Sequence, residues 1–316
     1  MFYSSREWKD KSVLVTGATG MLGQSVVQLL RNATANVTAL VRSASSCPQS
    51  CKALVCDITD SDALSGQLQS SSFDFVLHLA AQSQVGGEEA TATFQSNISG
   101  TLHLLEAVRT SNPNATLILA STDGASGCWG GFKRPLAEII DIGPYAASKM
   151  CAEILAHCYA SSFGLSVGIA RLTNLYGPYD RNLRRLVPGT ICSVLQGQEP
   201  SFRSSPATPI NFLYVDDAAE AILFLAEQVA GGRTTLRTVT VRSQKLMTLG
   251  EMVDAILTCM GRSDLRPKSV QEDDAMGGSP ASTPIEVGED WGWRPHVSLE
   301  EGLKKTISWY QQKITE

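Results

Sequence analysis

No run of apolar residues in this 316-residue chain approaches the ~18 that a membrane-spanning helix requires. The first eleven residues are polar and of mixed charge, so they lack the apolar core of a secretory leader. There is no basic excess either: 26 Lys and Arg stand against 31 Asp and Glu, a net charge of −5. That balance disfavours nucleic acid and anionic membrane surfaces as partners. Cysteine is sparse, at eight residues, too few for a disulfide scaffold. Only Cys47, Cys51 and Cys56 lie close together, and no second pair completes a tetrahedral zinc set; His78, His103, His157 and His296 are scattered. No metal site is expected. What remains is 43% apolar and 18% charged, which excludes a disordered or fibrous chain. These features predict a soluble, cytoplasmic protein of about two domains, or one large domain with a cap.

What the chain does have is a rhythm. Residues 12–16 are a short β-branched run, and 21–31 carry apolar residues at helical spacing. Strand patterns follow at 36–41, 53–56, 73–79, 116–120 and 165–172, with long helical patterns at 93–109 and 145–163. Continuous apolar strands separated by helices predict an α/β fold whose parallel sheet is covered on both faces, a doubly wound (Rossmann) arrangement. Past Leu172 the rhythm breaks. Residues 176–209 hold Pro178, Pro188, Pro200, Pro206 and Pro209 among the basic residues Arg181, Arg184, Arg185 and Arg203. Strands at 211–215 and 238–241 and helices at 218–228, 249–260 and 299–312 complete the pattern. The expected division is a dinucleotide-binding domain, 1–175 with about 210–245, under a smaller C-terminal substrate-binding cap, 176–209 and 246–316.

Between the first strand and first helix lies Thr16-Gly17-Ala18-Thr19-Gly20-Met21-Leu22-Gly23. Glycines there permit a tight turn and the approach of a pyrophosphate to free backbone N–H groups, so Gly17, Thr19, Gly20, Met21 and Gly23 are candidate cofactor contacts. The second strand ends in Leu40-Val41-Arg42-Ser43, with no carboxylate for a ribose 2′-hydroxyl. Arg42 and Ser43 offer donors to a 2′-phosphate instead, which favours NADP over NAD unless Arg42 is simply an exposed strand-end residue. Asp57 and Ile58 follow the third strand, placed for an adenine edge and face. Leu79-Ala80-Ala81-Gln82 ends the fourth with small residues, suited to a cofactor lying on the backbone or to close helix packing.

Tyr145-Ala146-Ala147-Ser148-Lys149 opens a helix, and residues four apart share a helix face. An ammonium beside a phenol, together with an oxidised nicotinamide, is expected to draw the tyrosine pKa down from about 10. A phenolate so placed takes the proton of a sugar hydroxyl while hydride leaves its carbon. Thr122, in Leu119-Ala120-Ser121-Thr122-Asp123-Gly124, can donate to the same substrate oxygen.

Taken together, these stretches resemble the extended short-chain dehydrogenase/reductases, specifically the nucleotide-sugar epimerase/dehydratase family, from Ser12 to Tyr310. Asn97-Ile98-Ser99-Gly100-Thr101, Arg171-Leu172-Thr173-Asn174-Leu175-Tyr176-Gly177-Pro178, Tyr214-Val215-Asp216-Asp217 and Trp291-Gly292-Trp293-Arg294-Pro295 add to the resemblance. It implies Thr122, Tyr145 and Lys149 as catalytic residues and Asp123 as the acid that protonates a departing 6-hydroxyl. It adds Asn97, Ala120 and Leu172 to the cofactor contacts, and assigns Gln82, Asn174 and Val187 to a nucleotide-sugar substrate. It also implies a homodimer built on the two long helices.

Three departures stand out. Gly124 occupies the position of the usual dehydratase base, and glycine moves no proton, so dehydration needs a substitute such as Lys133 or Glu138. Asp123 is open to a second reading, as a turn residue that accepts backbone N–H bonds. Ile210-Asn211-Phe212 replaces an arginine-bearing run that grips the diphosphate; Arg203, Arg184 or Arg185 is expected to supply the lost charge. The Cys128 to Arg134 loop is unusual and reads as a substrate flap or a hydrophobic anchor. The reaction expected first is a 4,6-dehydration through transient oxidation at carbon 4. A 4-epimerase or a 4-ketosugar reductase follows, and outside enzymes a non-catalytic NAD(P)-binding sensor.

Overall fold

Strands buried on both faces belong in the middle of a layered sheet, and this chain builds one. The computed structural model describes residues 3–83, 90–126, 143–232, 235–268 and 291–315. The first half runs α1 (Ser5–Trp8), β1 (Ser12–Thr16), α2 (Met21–Asn32), β2 (Asn36–Val41), β3 (Lys52–Val55), α3 (Ser61–Gln69), β4 (Phe75–His78), α4 (Ala90–Phe94), α5 (Gly100–Ser111), β5 (Thr116–Thr122), α6 (Pro144–Phe163) and β6 (Ser166–Leu172). The second runs β7 (Asn174–Tyr176), α7 (Leu186–Leu195), β8 (Pro209–Ile210), β9 (Phe212–Tyr214), α8 (Val215–Ala230), β10 (Leu236–Val241), β11 (Met247–Thr248), α9 (Leu249–Cys259) and α10 (Leu299–Thr315).

Seven strands form one sheet in the order β10-β6-β5-β4-β1-β2-β3, and every neighbouring pair is parallel. Alternation along β1 sends Val13 and Val15 to one face, where they pack with Val26, Leu30, Ile222 and Leu225 of α2 and α8. Leu14 points to the other, against Leu64, Leu104 and Ala152 of α3, α5 and α6. The doubly wound expectation holds. A further core joins Val187 and Ile191 of α7, Met252 and Ile256 of α9, and Leu303 and Ile307 of α10. Trp293, by contrast, packs into the sheet-face core, so the C-terminal stretch also reaches back to the sheet.

Local chemistry accounts for the ends of the helices. Pro144 occupies the first turn of α6, where its missing N–H costs nothing, and Gly164 closes it at φ 72° with its N–H on the carbonyls of Tyr159 and Ala160. α9 opens on a reciprocal cap between Thr248 and Glu251.

Four features differ from the sequence expectation. The long helix at 93–109 is interrupted by a π turn at Gln95–Ser99, whose Asn97 carbonyl is taken by the Thr101 hydroxyl at 2.6 Å. α3 was not foreseen: only Leu64 and Leu68 are buried in it, and its start is fixed by the Asp60 side chain accepting from Ala63 N. α7 was hidden by Pro188 and Gly189, yet Pro188 sits in its first turn, where proline is tolerated. The expected strand at 211–215 is split at Asn211. Ile210 pairs antiparallel with β11, whereas Phe212 starts the parallel pair with β7, and the buried Asn211 side chain bonds Ser243 N and O at 2.8 Å each. The Cys128 to Arg134 loop, Lys133 and Glu138 lie outside the described residues.

Candidate active site

The strand order reverses between β1 and β4, and the crevice beyond their carboxyl ends is where an open α/β sheet takes a ligand. Gly17 stands there at φ 70°, and a Cβ on it would lie 2.6 Å from the Ala80 nitrogen. A Cβ on Gly23 would lie 2.1 Å from the Gly17 carbonyl oxygen, so the backbone turn and α2 pack in direct contact. Gly20 caps α2 with no side-chain acceptor, which leaves the first-turn N–H groups without a side-chain cap. Thr19 is exposed and Met21 half-buried beside them. A bare turn under a helix N-terminus suits a diphosphate.

Towards the sheet edge, Arg42 and Ser43 are exposed, and the Ser43 carbonyl accepts from Ser46 Oγ at 2.7 Å. Asp57, also exposed, accepts from Thr59 N at 2.9 Å and Thr59 Oγ1 at 2.7 Å. Those bonds hold its carboxyl below the usual range, and the nearby Arg42 charge adds to the effect. Arg42 therefore faces a carboxylate, though one at the end of β3 rather than β2. Ile58 is buried against Gly100, where a Cβ would meet its Cγ2 at 2.8 Å. Leu79, Ala80, Ala81 and Gln82 are half-buried along the mouth of the crevice.

The residues expected to be catalytic lie around the end of β5. Lys149 is 3% exposed, and its Nζ donates to the Ala120 carbonyl at 2.8 Å, which ties α6 to β5. Burial holds its ammonium down to about 8, with Glu153 opposing. Glu153 is itself buried in an ion pair with Arg171 (2.5 Å) and accepts from Ser121 Oγ at 2.5 Å. Leu172 lies opposite Thr122 in the β5–β6 register. The Thr122 hydroxyl donates to Asp123 Oδ1 at 3.1 Å, and Gly124 N donates to the same oxygen at 2.9 Å. Burial nevertheless pushes the Asp123 carboxyl up.

Tyr145 is half-buried, and its phenol is pushed up rather than down. Burial is the main cause and the Asp123 carboxylate adds to it, while the Arg185 guanidinium pulls the other way. In the chain without a dinucleotide, desolvation of the phenolate outweighs the Arg185 cation, whereas the expected lowering belongs to the site with an oxidised nicotinamide bound. Arg185 stands at the N-cap position of α7 and pairs with Asp180 at 3.4 Å. Arg184 and Arg203 are exposed. Asn174 is exposed at the start of β7, whereas Val187 is 3% exposed within the cap core.

Two groups carry more weight here than the sequence signalled. Ser148, inside the tyrosine–lysine stretch, donates to the Tyr145 carbonyl at 2.7 Å and accepts from Asn97 Nδ2 at 2.9 Å. His78, read as one scattered histidine, is a polar residue inside a strand buried along its whole length, and that contrast was the available signal. Asp217, Glu220 and His296 also gather ligand-type atoms within 4.8 Å of one another. There His296 Nδ1 pairs with both carboxylates, at 3.0 and 3.1 Å, and fastens the loop before α10 to α8.

Fold and sequence together define a doubly wound α/β protein with Tyr145 and Lys149 in the first turns of α6. The model of the NAD dependent epimerase/dehydratase family matches residues 13–237, and the chain belongs to that family. It is 30% identical over 317 residues to a dTDP-glucose 4,6-dehydratase of Mycolicibacterium smegmatis, covering 95% of this chain and 93% of that protein. A UDP-N-acetylglucosamine 4-epimerase of Methanobrevibacter ruminantium, solved with UDP-N-acetylmuramic acid, superposes with a TM-score of 0.81 at 25% identity over 96% of this chain and 99% of the other. A dTDP-glucose 4,6-dehydratase of Bacillus anthracis, solved with NAD, shares the fold with a TM-score of 0.79 at 23% identity over 95% and 96% of the two chains.

Proposed function

We propose that the chain is an NAD(P)-dependent enzyme that modifies a nucleotide-linked sugar through transient oxidation at carbon 4, with 4,6-dehydration as its reaction. The observation that carries this reading is the arrangement at the end of β5: Lys149 anchored on Ala120, and Asp123 with its raised carboxyl in the field of Tyr145. Burial raises the tendency of the Asp123 carboxyl to hold a proton, and a protonated carboxyl is the donor that loss of a 6-hydroxyl requires. The cradle of Gly17, Gly20 and Gly23, with Ala80, Asn97, Ala120 and Leu172 around it, would hold the dinucleotide; the nicotinamide supplies a hydride acceptor and donor when bound. Tyr145 takes the 4-hydroxyl proton, Thr122 orients that oxygen, and Lys149 stabilises the phenolate. Asn174, Gln82, the Val187 turn, Arg184 and Arg203 are assigned to the nucleoside diphosphate and sugar. The family relatives include dTDP-glucose 4,6-dehydratases, which supports the choice of substrate class.

The test is the product. Purified enzyme incubated with dTDP-glucose or UDP-glucose and cofactor should yield a sugar nucleotide lighter by one water. A 4-epimerase is the second reading, favoured by Gly124 in place of a base; it would give a product of unchanged mass with inverted configuration.

Arg42 and Ser43 support NADP over NAD. Arg42→Ala should weaken NADP binding by about tenfold, the loss of one charge-assisted hydrogen bond, and leave NAD within about twofold. Equal weakening of both would remove the preference. Residues 1–175 with about 210–245 would form the dinucleotide-binding domain, and 176–209 with 246–316 the substrate-binding cap. A homodimer through α5 and α6 is supported by Leu102, Ile154 and Phe163, which are 38%, 64% and 54% exposed on these helices. A solution mass of a single 33.9 kDa chain would contradict it. Among the described residues no helix is long and apolar enough to cross a membrane, which is consistent with the proposed cytoplasmic location.

A further inference from the structure

A buried line of hydrogen bonds joins the dinucleotide turn to the helix that carries Tyr145. Ala80 N donates to Thr16 Oγ1 at 3.1 Å, and Thr16 Oγ1 lies 2.8 Å from His78 Nδ1. On the other side of the ring, His78 Nε2 lies 2.9 Å from Thr101 Oγ1, which donates to the Asn97 carbonyl at 2.6 Å. Asn97 then fastens the backbone of Gln82 through both amide atoms, at 2.8 and 3.1 Å. Its Nδ2 also donates to Ser148 Oγ, which donates to the Tyr145 carbonyl. Thr16, His78, Asn97, Thr101 and Ser148 are each at most 2% exposed.

Proton counting fixes the state of the ring. A hydroxyl has one proton, and that of Thr101 goes to a carbonyl, which cannot donate. His78 Nε2 must therefore carry a hydrogen, and Nδ1 of the neutral ring is an acceptor. The Thr16 proton goes to Nδ1, and the Thr16 oxygen is left to accept from Ala80 N. Every donor has one acceptor. Burial and the Lys149 charge hold the imidazole down to about 3, so the ring stays neutral at working pH. A neutral, fully bonded histidine in a closed core has one orientation, and an apolar residue in its place would leave both threonine hydroxyls to find other partners.

We propose that His78 is a positioning residue for Tyr145: locked as the Nε2–H tautomer between Thr16 and Thr101, it sets the π turn at Gln95–Ser99 and, through Asn97 and Ser148, the start of α6. The proposal rests on Tyr145 being the base. It explains why the turn at Asn97 is wound as a π turn, since that geometry presents the Asn97 carbonyl to Thr101 while its side chain reaches both Gln82 and Ser148.

The experiment compares Thr101→Val, which keeps the shape and removes the hydroxyl, with Thr101→Ser, which restores it. Thr101→Val should lower kcat about tenfold to a hundredfold, the scale of a small misplacement at a reacting centre, with the cofactor Kd within about threefold. Thr101→Ser should return kcat to within about threefold of the wild type. Wild-type kcat in Thr101→Val, no rescue by serine, or a cofactor Kd that worsens in step with kcat would each overturn the proposal. A second arm needs no substrate: long-range 1H–15N spectra of histidine-labelled protein should show His78 protonated at Nε2 and bare at Nδ1, unchanged between about pH 5.5 and 8.5. The opposite tautomer, or titration in that range, would also overturn it. A wild-type enzyme inert towards nucleotide sugars would refute the proposed function and leave this arm to judge the relay.

Discussion

Tyr145→Phe should lower kcat by about 10³, within the range for losing a positioned general base, and leave cofactor affinity within about twofold. The two effects separate because the ring stays while only its oxygen is lost. The α6 backbone is held by Ser148 on the Tyr145 carbonyl, and Lys149 is held independently by the Ala120 carbonyl. Single-turnover rates and cofactor titration measure the two parts; residual activity above about a tenth of wild type would remove Tyr145 from the reaction. The pH profile sharpens the assignment. A base must be deprotonated to act, so the rate of hydride transfer should climb with pH towards a phenol that burial pushes up. Arg185 pulls that phenol down, so Arg185→Ala should move the rising limb to higher pH. The phenylalanine variant should show no such limb.

Much of the fold was legible because its signals are local and redundant. Most strands of the sheet are short apolar runs bounded by turn residues, and Gly17 and Gly23 of the first turn have a steric reason to be there. The glycine turn and the Tyr145–Lys149 spacing are likewise local, one a strand–turn–helix motif and the other a four-residue interval on one helix. What escaped depends on tertiary partners. α7 gives no helical signal because Pro188 is a helix breaker in most positions and harmless in this one. The π turn is fixed by Thr101 and His78, which lie on different elements and share no sequence pattern. The sign of the Tyr145 shift depends on how far the phenol is withdrawn from water, a quantity that spacing does not carry. Arg185 could be named from the sequence only as one of three cap arginines, because its reach to Tyr145 depends on where α7 begins.

Asp123→Asn should divide chemistry from stability. Loss of the acid should slow dehydration by about 10²–10³ while oxidation at carbon 4 continues, seen as cofactor reduction without loss of water. The same change should raise thermal stability at neutral pH. A carboxyl whose pKa is raised on folding holds its proton more tightly in the folded chain. Its ionisation therefore costs nothing at low pH and increasingly penalises the fold as pH rises past the unfolded value towards the raised one. Asparagine carries no charge and keeps an oxygen for Gly124 N and Thr122 Oγ1, so its advantage in Tm over the wild type should grow as pH rises above about 4. Removing that carboxylate also takes away a charge that pushes the Tyr145 phenol up, so the limb for hydride transfer should move to lower pH, opposite to Arg185→Ala. If Asp123 is only a turn residue, asparagine should serve the turn equally well and dehydration should run at the wild-type rate. If Asp123 is the acid, the variant should be the more stable protein and the poorer dehydratase, and Gly124 would then mark the absence of a base but not of the acid.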